Sequence, residues 1–429
     1  LKLGTKFSED QVHEYLYQQG LEALTEDVPE IDVDPEVLDP AEGGVEFELW
    51  RILKARAVEK IEALHQTVRY GRFLGSKVKL PTDSTRPMEL DLFGEHEDGL
   101  FILELKVDRS AERNAFSELL AYSNYIAGIF PLSGHKDIAN VLVANLDNKI
   151  TRQAFLYDLL INDRNVIVYK PVFSDGTLQS LKLQLHLPSD KDFLHLTNDL
   201  LSHDAMSCVV ASFDDLEGWF DSEEVQGSLQ SHTKEHLSLL SAYTAQLMES
   251  EHLHGFCFVR KPWREIPLHH RNSLIVCALN PFQVAPEDRA EAVLHQIGEE
   301  DRSLFFESPL LGFHGRLLRL ARRAVKDCLT HNYDCELEMP NWNAMVVSAQ
   351  EVVFTHNFAF RPTGVFREAY TYYLNRAYAM EAQGGIVEDH SVLKINEITN
   401  WLGAWRFMEM CGFSGDKAAD SEARADPED

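Results

Sequence analysis

Asp91, Glu104 and Lys106 stand on two short segments, MELDLF (88–93) and LFILELKV (100–107), whose other residues are mostly apolar. Alternate side chains of a strand share a face, so Ile102, Glu104 and Lys106 point one way and Phe101, Leu103 and Leu105 the other. By the same rule Glu89, Asp91 and Phe93 share a face. The intervening GEHEDG predicts a β-hairpin, which would bring Asp91 beside Glu104. Strands apolar on both faces are buried strands. An acid pair and a lysine there are costly unless they have a job.

Two flanking helices supply further candidates. Beyond Gly44 the run VEFELWRILKARAVEKIEALHQTV has apolar residues at Leu49, Leu53, Ala57, Ile61 and Leu64, the spacing of an amphipathic helix. At about 100° per residue, Glu46 falls on that stripe and Glu48 on the polar side, so Glu46 is expected to face the sheet. AERNAFSELLAYSNYIAGI (111–129) predicts a helix with Glu118 and Tyr122 one turn apart on a common face.

Three carboxylates and a lysine on one surface can carry out metal-assisted phosphodiester hydrolysis. Asp91 and Glu104 offer hard oxygen ligands suited to Mg²⁺ or Mn²⁺, and Glu46 would complete the shell directly or through water. Lys106 would hold or help deprotonate the attacking water and offset charge in the transition state. A cationic cluster, Arg69, Arg72, Lys77 and Lys79, lies just before the hairpin and is a candidate for substrate phosphates.

Asp91, twelve residues, then Glu104-Leu105-Lys106, with an acid-bearing helix before and Glu118-x-x-x-Tyr122 after, resembles the restriction-endonuclease-like PD-(D/E)xK nucleases. MELDLFGEHEDGLFILELKVDRS is most similar to the branch of mismatch, single-strand and defence-associated endonucleases. The resemblance covers roughly residues 43–186. It implies metal ligands at Asp91 and Glu104, a catalytic lysine at Lys106, and a DNA endonuclease of defence or repair, with RNA as another substrate. The motif's Pro is absent before Asp91, and Glu118 stands where a Gln is usual.

The remaining elements suit this reading. NVLVANL (140–146) and NVIVYKPVF (165–173) predict strands and TRQAFLYDLLIN (151–162) a helix, giving an α/β sandwich with a central mixed sheet. LHLPSDKDF (185–193) marks a boundary. Beyond it CVVASF, HGFCFV and SLIVCAL predict strands, and stretches near 231–249, 286–297, 313–328 and 364–381 predict helices, a separate α+β domain. The expected organisation is an acidic arm (1–42), a nuclease-like domain (43–188), a recognition, oligomerisation or sensor domain (195–413) and a disordered acidic tail (414–429).

Composition narrows the classes. With 45% hydrophobic and 25% charged residues, a wholly disordered chain is excluded. Six cysteines in 429 residues make no disulfide framework, and no apolar run is long enough to span a membrane. Leu1–Asp10 lacks the apolar stretch of a signal peptide, so cytoplasmic residence is expected. A net charge of −29 argues against nonspecific coating of nucleic acid. From Phe7 to Trp50 there are 14 acids and no Lys or Arg, nearly half the excess; the segment reads as solvated surface or as a phosphate mimic.

Four other patterns carry alternatives. His232, Glu235 and His236 have the spacing of one metalloprotease class or of a solvated helix face. Cys328, His331 and Cys335 could ligate zinc but lack paired Cys-x-x-Cys spacing, so idle thiols are the plainer reading. In FHGRLLRLARRAVKDC, Arg316, Arg319, Arg323 and Lys326 form a salt-bridged face or a phosphate-binding stripe. Phe366, Tyr370, Tyr373 and Tyr378 read as core or as a base-stacking platform. One site cuts one strand, so the expected assembly is a homodimer, with a regulatory partner or ligand on the second domain.

Overall fold

A computed structural model describes residues 7–28, 31–37, 47–81, 88–107, 111–130, 136–197, 205–213, 231–262, 272–282, 293–329, 335–340, 342, 355–384, 407, 408 and 411. The chain divides into two compact units, Leu1–Asp34 with Leu53–Phe193, and Pro35–Ile52 with Leu194–Asp429. The tail at 414–429 and most of the helix expected near 286–297 lie outside the described residues.

The first unit opens with α1 (Glu9–Leu24), where an acidic arm was expected. Ser8 and Gln11 form a reciprocal capping box at its start. Val12, Leu16, Leu21 and Leu24 are buried, so an apolar stripe lies inside the acidic composition. Its step lengthens from four residues to five across Gly20, whose φ of 75° interrupts the helix. Next comes α2 (Leu49–Arg69). Leu49, Ala57, Ile61 and Leu64 of the expected stripe are buried and Leu53 is half-buried, while Ile52, Ala55 and Val58 widen the buried face.

The sheet runs β1 (Arg72–Leu80), β2 (Met88–His96), β3 (Gly99–Lys106), β4 (Ile138–Ala144), β5 (Val166–Phe173) and β6 (Leu181–Leu185), adjacent in that order. β1–β2–β3 is an antiparallel meander, β3, β4 and β5 are parallel, and β6 returns antiparallel. Between β3 and β4 lies α3 (Ala115–Ile129), and between β4 and β5 lies α4 (Lys149–Leu156), continued by a π turn to Ile161. α5 (Asp190–Thr197) follows β6. The expected hairpin forms as β2–β3 with a tight turn at Glu97–Asp98. Gly94 lies opposite Phe101, where a Cβ would come within 2.1 Å of the Phe101 ring. All of β4 is buried, as a central parallel strand requires.

The second unit runs β7 (Met206–Phe213), α6 (Ser231–Ser250), β8 (Gly255–Pro262), β9 (Asn272–Leu279), α7 (Arg302–Cys328), β10 (Glu336–Glu338), β11 (Thr355–Thr363) and α8 (Val365–Ala382). Its antiparallel sheet has the order β10-β7-β9-β8-β11. The first six elements follow the split βαβ pattern, with β11 added beside β8. Leu237, Leu240, Leu317, Leu320 and Ala324 of α6 and α7 pack with Val209, Val259 and Val276 of the sheet. Tyr370 and Tyr373 are buried in a cluster with Phe256, Phe360 and Phe407, and Phe366 is fully buried, so the three are core; Tyr378 is exposed. Among the described residues no helix is long and apolar enough to cross a membrane.

Candidate active site

β2 delivers Asp91 and the neighbouring β3 delivers Glu104 and Lys106. Pairing between these strands ends at Leu92 and Leu103. Just beyond, Asp91 Oδ2 accepts the Leu105 N–H at 2.8 Å, so a carboxylate takes an amide where the strands part. Burial raises the Asp91 pKa above the usual carboxylate range, against the pull of the Leu105 N–H and the Lys106 ammonium.

Glu104 is 2% exposed. Its Oε1 accepts from Lys106 Nζ at 2.5 Å, while Oε2 is buried without a hydrogen-bond partner. Burial first, and the Asp91 charge second, push its carboxyl up to about 9, although Lys106 opposes both. Lys106 Nζ also lies 3.0 Å from Glu118 Oε2, tying β3 to α3. Burial alone would lower the Lys106 pKa. The Glu104 and Glu118 carboxylates outweigh it and hold the amine above its ordinary value, so it is an ammonium at neutral pH.

One turn beyond Glu118, the buried Tyr122 donates its hydroxyl to the Glu89 carbonyl at 2.9 Å. Burial, with the Glu104 and Glu118 charges behind it, raises its pKa. Tyr122 therefore holds α3 against β2.

Among the described residues, an acid that joins from a preceding helix is Glu9, which the sequence reading missed. Glu46 lies outside the described residues, and Glu48 is paired with Arg51 one turn along α2. Glu9 sits half-buried in the first turn of α1, within the fields of Lys106, Asp91 and Glu118 and hydrogen-bonded by the Val107 backbone. Burial is the largest cause of its raised pKa. One turn on, the buried His13 donates Nε2–H to the Asp91 carbonyl at 3.0 Å. The Ser8–Gln11 capping box and the Val12/Leu16 spacing were the sequence signals for this helix.

Among the described residues no three His, Cys, Asp or Glu side chains converge as a metal-holding group. Asp91 is engaged by an amide and Glu104 by an ammonium. Even so, the residues fit a hard divalent cation. Glu104 keeps an orphaned buried oxygen, and burial together with the Asp91 charge raises its pKa, a strain that such an ion relieves.

Of the four cations expected to meet phosphate beside the hairpin, three are tied to an acid, and Lys79 is exposed with no ion pair among the described residues. Arg69 pairs with Asp27, Arg72 with Glu95 at 2.6 Å and Lys77 with Asp10 at 2.6 Å. Two of these acids come from the N-terminal stretch. In the second unit Arg316 is an anchor: Nε reaches Glu251 Oε2 at 2.5 Å and Nη2 donates to the Glu251 carbonyl at 2.7 Å. Arg319, Arg323 and Lys326 are exposed, and Arg323 lies 3.5 Å from Asp327.

His236 donates Nε2–H to the Cys328 carbonyl at 2.7 Å, which makes it a structural link between α6 and α7. The His232 side chain and His331 lie outside the described residues. No family model, no curated protein and no solved structure matches this chain.

Proposed function

We propose that the first unit is a Mg²⁺- or Mn²⁺-dependent endonuclease of the restriction-endonuclease-like class, acting on phosphodiester bonds of DNA. The observation that carries this reading is Glu104: a buried carboxylate with one oxygen on Lys106, the other orphaned, and Asp91 close enough to raise its pKa. The order of helix, antiparallel meander, helix and parallel strand around it supports the same class.

Asp91, Glu104 and Glu9 would hold the ion, which when bound supplies positive charge to the phosphate and acidity to a bound water. The Lys106 ammonium orients the attacking water or a phosphate oxygen and offsets charge that develops in the transition state. Glu118 holds Lys106 over that position. Tyr122 keeps α3 in register through Glu89, and His13 fixes the backbone that carries Asp91. A homodimer would place two such sites for double-strand cleavage.

The test is incubation of the purified chain with supercoiled, linear and single-stranded DNA and with RNA, in Mg²⁺, Mn²⁺ or EDTA. Metal-dependent cleavage is expected, falling about 10²–10³-fold in Lys106→Ala with binding retained. Cleavage by Lys106→Ala at the wild-type rate would overturn the assignment. No cleavage under any condition would leave the non-enzymatic alternative, a nuclease-fold scaffold that binds nucleic acid or partner proteins.

A further inference from the structure

The sequence marks α7 as the most basic helix of an acidic chain; the structure decides which of its cations are free. Between Arg316 and Asp327 there are five cations and one acid. Arg316 is consumed by Glu251. Asp327 is shared between Arg323 and the Tyr243 hydroxyl. Arg319, Arg322 and Lys326 are exposed and have no acid partner within ion-pair distance among the described residues.

These three, with Arg323, stand at i, i+3, i+4 and i+7, a single helical stripe. Leu317, Leu320, Ala321, Ala324 and Val325, on the opposite side, are buried in the core of the second unit. The Arg316–Glu251 contact further fixes the helix against the turn before β8. The stripe is therefore held on a rigid element. At ~1.5 Å per residue it is roughly 10 Å long, and one strand of a duplex presents a phosphate every ~3.4 Å along its axis.

We propose that Arg319, Arg322 and Lys326 form a sequence-independent docking stripe for the phosphate backbone of nucleic acid. The occupant follows from charge complementarity. A chain of net charge −29 has no electrostatic reason to leave three neighbouring cations unmatched, whereas three of the four hairpin cations, Arg69, Arg72 and Lys77, are matched internally and only Lys79 is not. The proposal rests on the nuclease reading for the identity of the polyanion. Its geometry is independent of the carboxylate site.

The test measures anisotropy of a short labelled DNA duplex with the full chain in EDTA, so that cleavage plays no part, across a KCl series from roughly 50 to 200 mM. Combined Arg319→Gln, Arg322→Gln and Lys326→Gln should flatten the slope of log affinity against log salt by about 2–3 and weaken binding roughly eightfold per lost contact at ~0.1 M salt. Arg316→Gln should lower the thermal midpoint and leave the slope unchanged. An unchanged slope in a folded triple variant, or wild type that does not bind the duplex, overturns the stripe. Polyglutamate bound with the same salt slope also overturns it, in favour of an acidic protein partner. A lost slope in the variant beside a wild-type chain that binds but does not cleave overturns only the nuclease reading.

Discussion

Glu104→Gln should stabilise the protein in EDTA at alkaline pH, although it removes the central member of the site. The carboxyl has an ordinary value of 4.5 and is pushed up to about 9. A carboxyl raised in the folded state contributes stability that is full below its unfolded value and is lost as pH climbs towards the folded one. Between 4.5 and pH 8 the loss is at most about 5 kcal/mol, at ~1.4 kcal/mol per pH unit. The opposing pull of Lys106 is already contained in the value of about 9. The Gln amide keeps the shape and can still accept from Lys106. A net gain of about 1–3 kcal/mol follows, or roughly 3–10 °C in Tm for a unit of this size. Thermal unfolding in EDTA from pH 5 to pH 9 checks it, with the gap between variant and wild type widening as pH rises. Added Mg²⁺ should reverse the order, since an ion held by Glu104 stabilises wild type alone. A variant less stable than wild type at pH 8, or a gap equal at pH 5 and pH 8, would refute the electrostatic argument.

Glu9→Gln should lower metal-dependent cleavage by about 10²-fold or more, whereas Glu48→Gln should leave the rate unchanged, because Glu48 faces Arg51; initial rates on supercoiled plasmid separate the two. Leu16→Ala should cost about 2–5 kcal/mol in urea unfolding, since Leu16 is fully buried; a loss under 1 kcal/mol would return α1 to the status of a dispensable arm.

The hairpin was legible because two signals agreed: period-two alternation in MELDLF and LFILELKV, and a turn sequence between them. The register then followed, since a slip of one residue would send Asp91 and Glu104 to opposite faces. β1 was not legible. In RFLGSKVKL only Leu80 is buried, the outer positions carry charges, and the strand is irregular between Phe73 and Gly75, so apolar alternation is weak. On α2 the helix and most of its apolar stripe were legible, but the width of the buried face was not, because Leu53 and Ile52 are equally apolar and only packing distinguishes them. The same limit applies to α7. Sequence shows five cations, but Glu251, which removes Arg316 from the stripe, lies 65 positions away.

Glu9 shows how a carboxylate was missed and why the cluster is hard to read as ordinary structure. Composition made residues 7–50 an acidic segment, and that description hides Val12 and Leu16, the residues that seat α1 on the sheet. Once seated, the helix brings a fourth carboxylate to a place that already holds Asp91, Glu104 and Glu118. A structural ion pair balances charge. Here three carboxyls, those of Glu9, Asp91 and Glu104, have raised pKa values, and each lies in the field of at least one of the other acids. Burial is the largest cause in each, the neighbouring acids add to it, and Lys106 opposes all three without cancelling the rise. Folding that concentrates like charge in a buried place gives up stability, and such arrangements persist where charge is needed for binding or chemistry. The excess of anionic oxygen around one ammonium is what a divalent cation would neutralise.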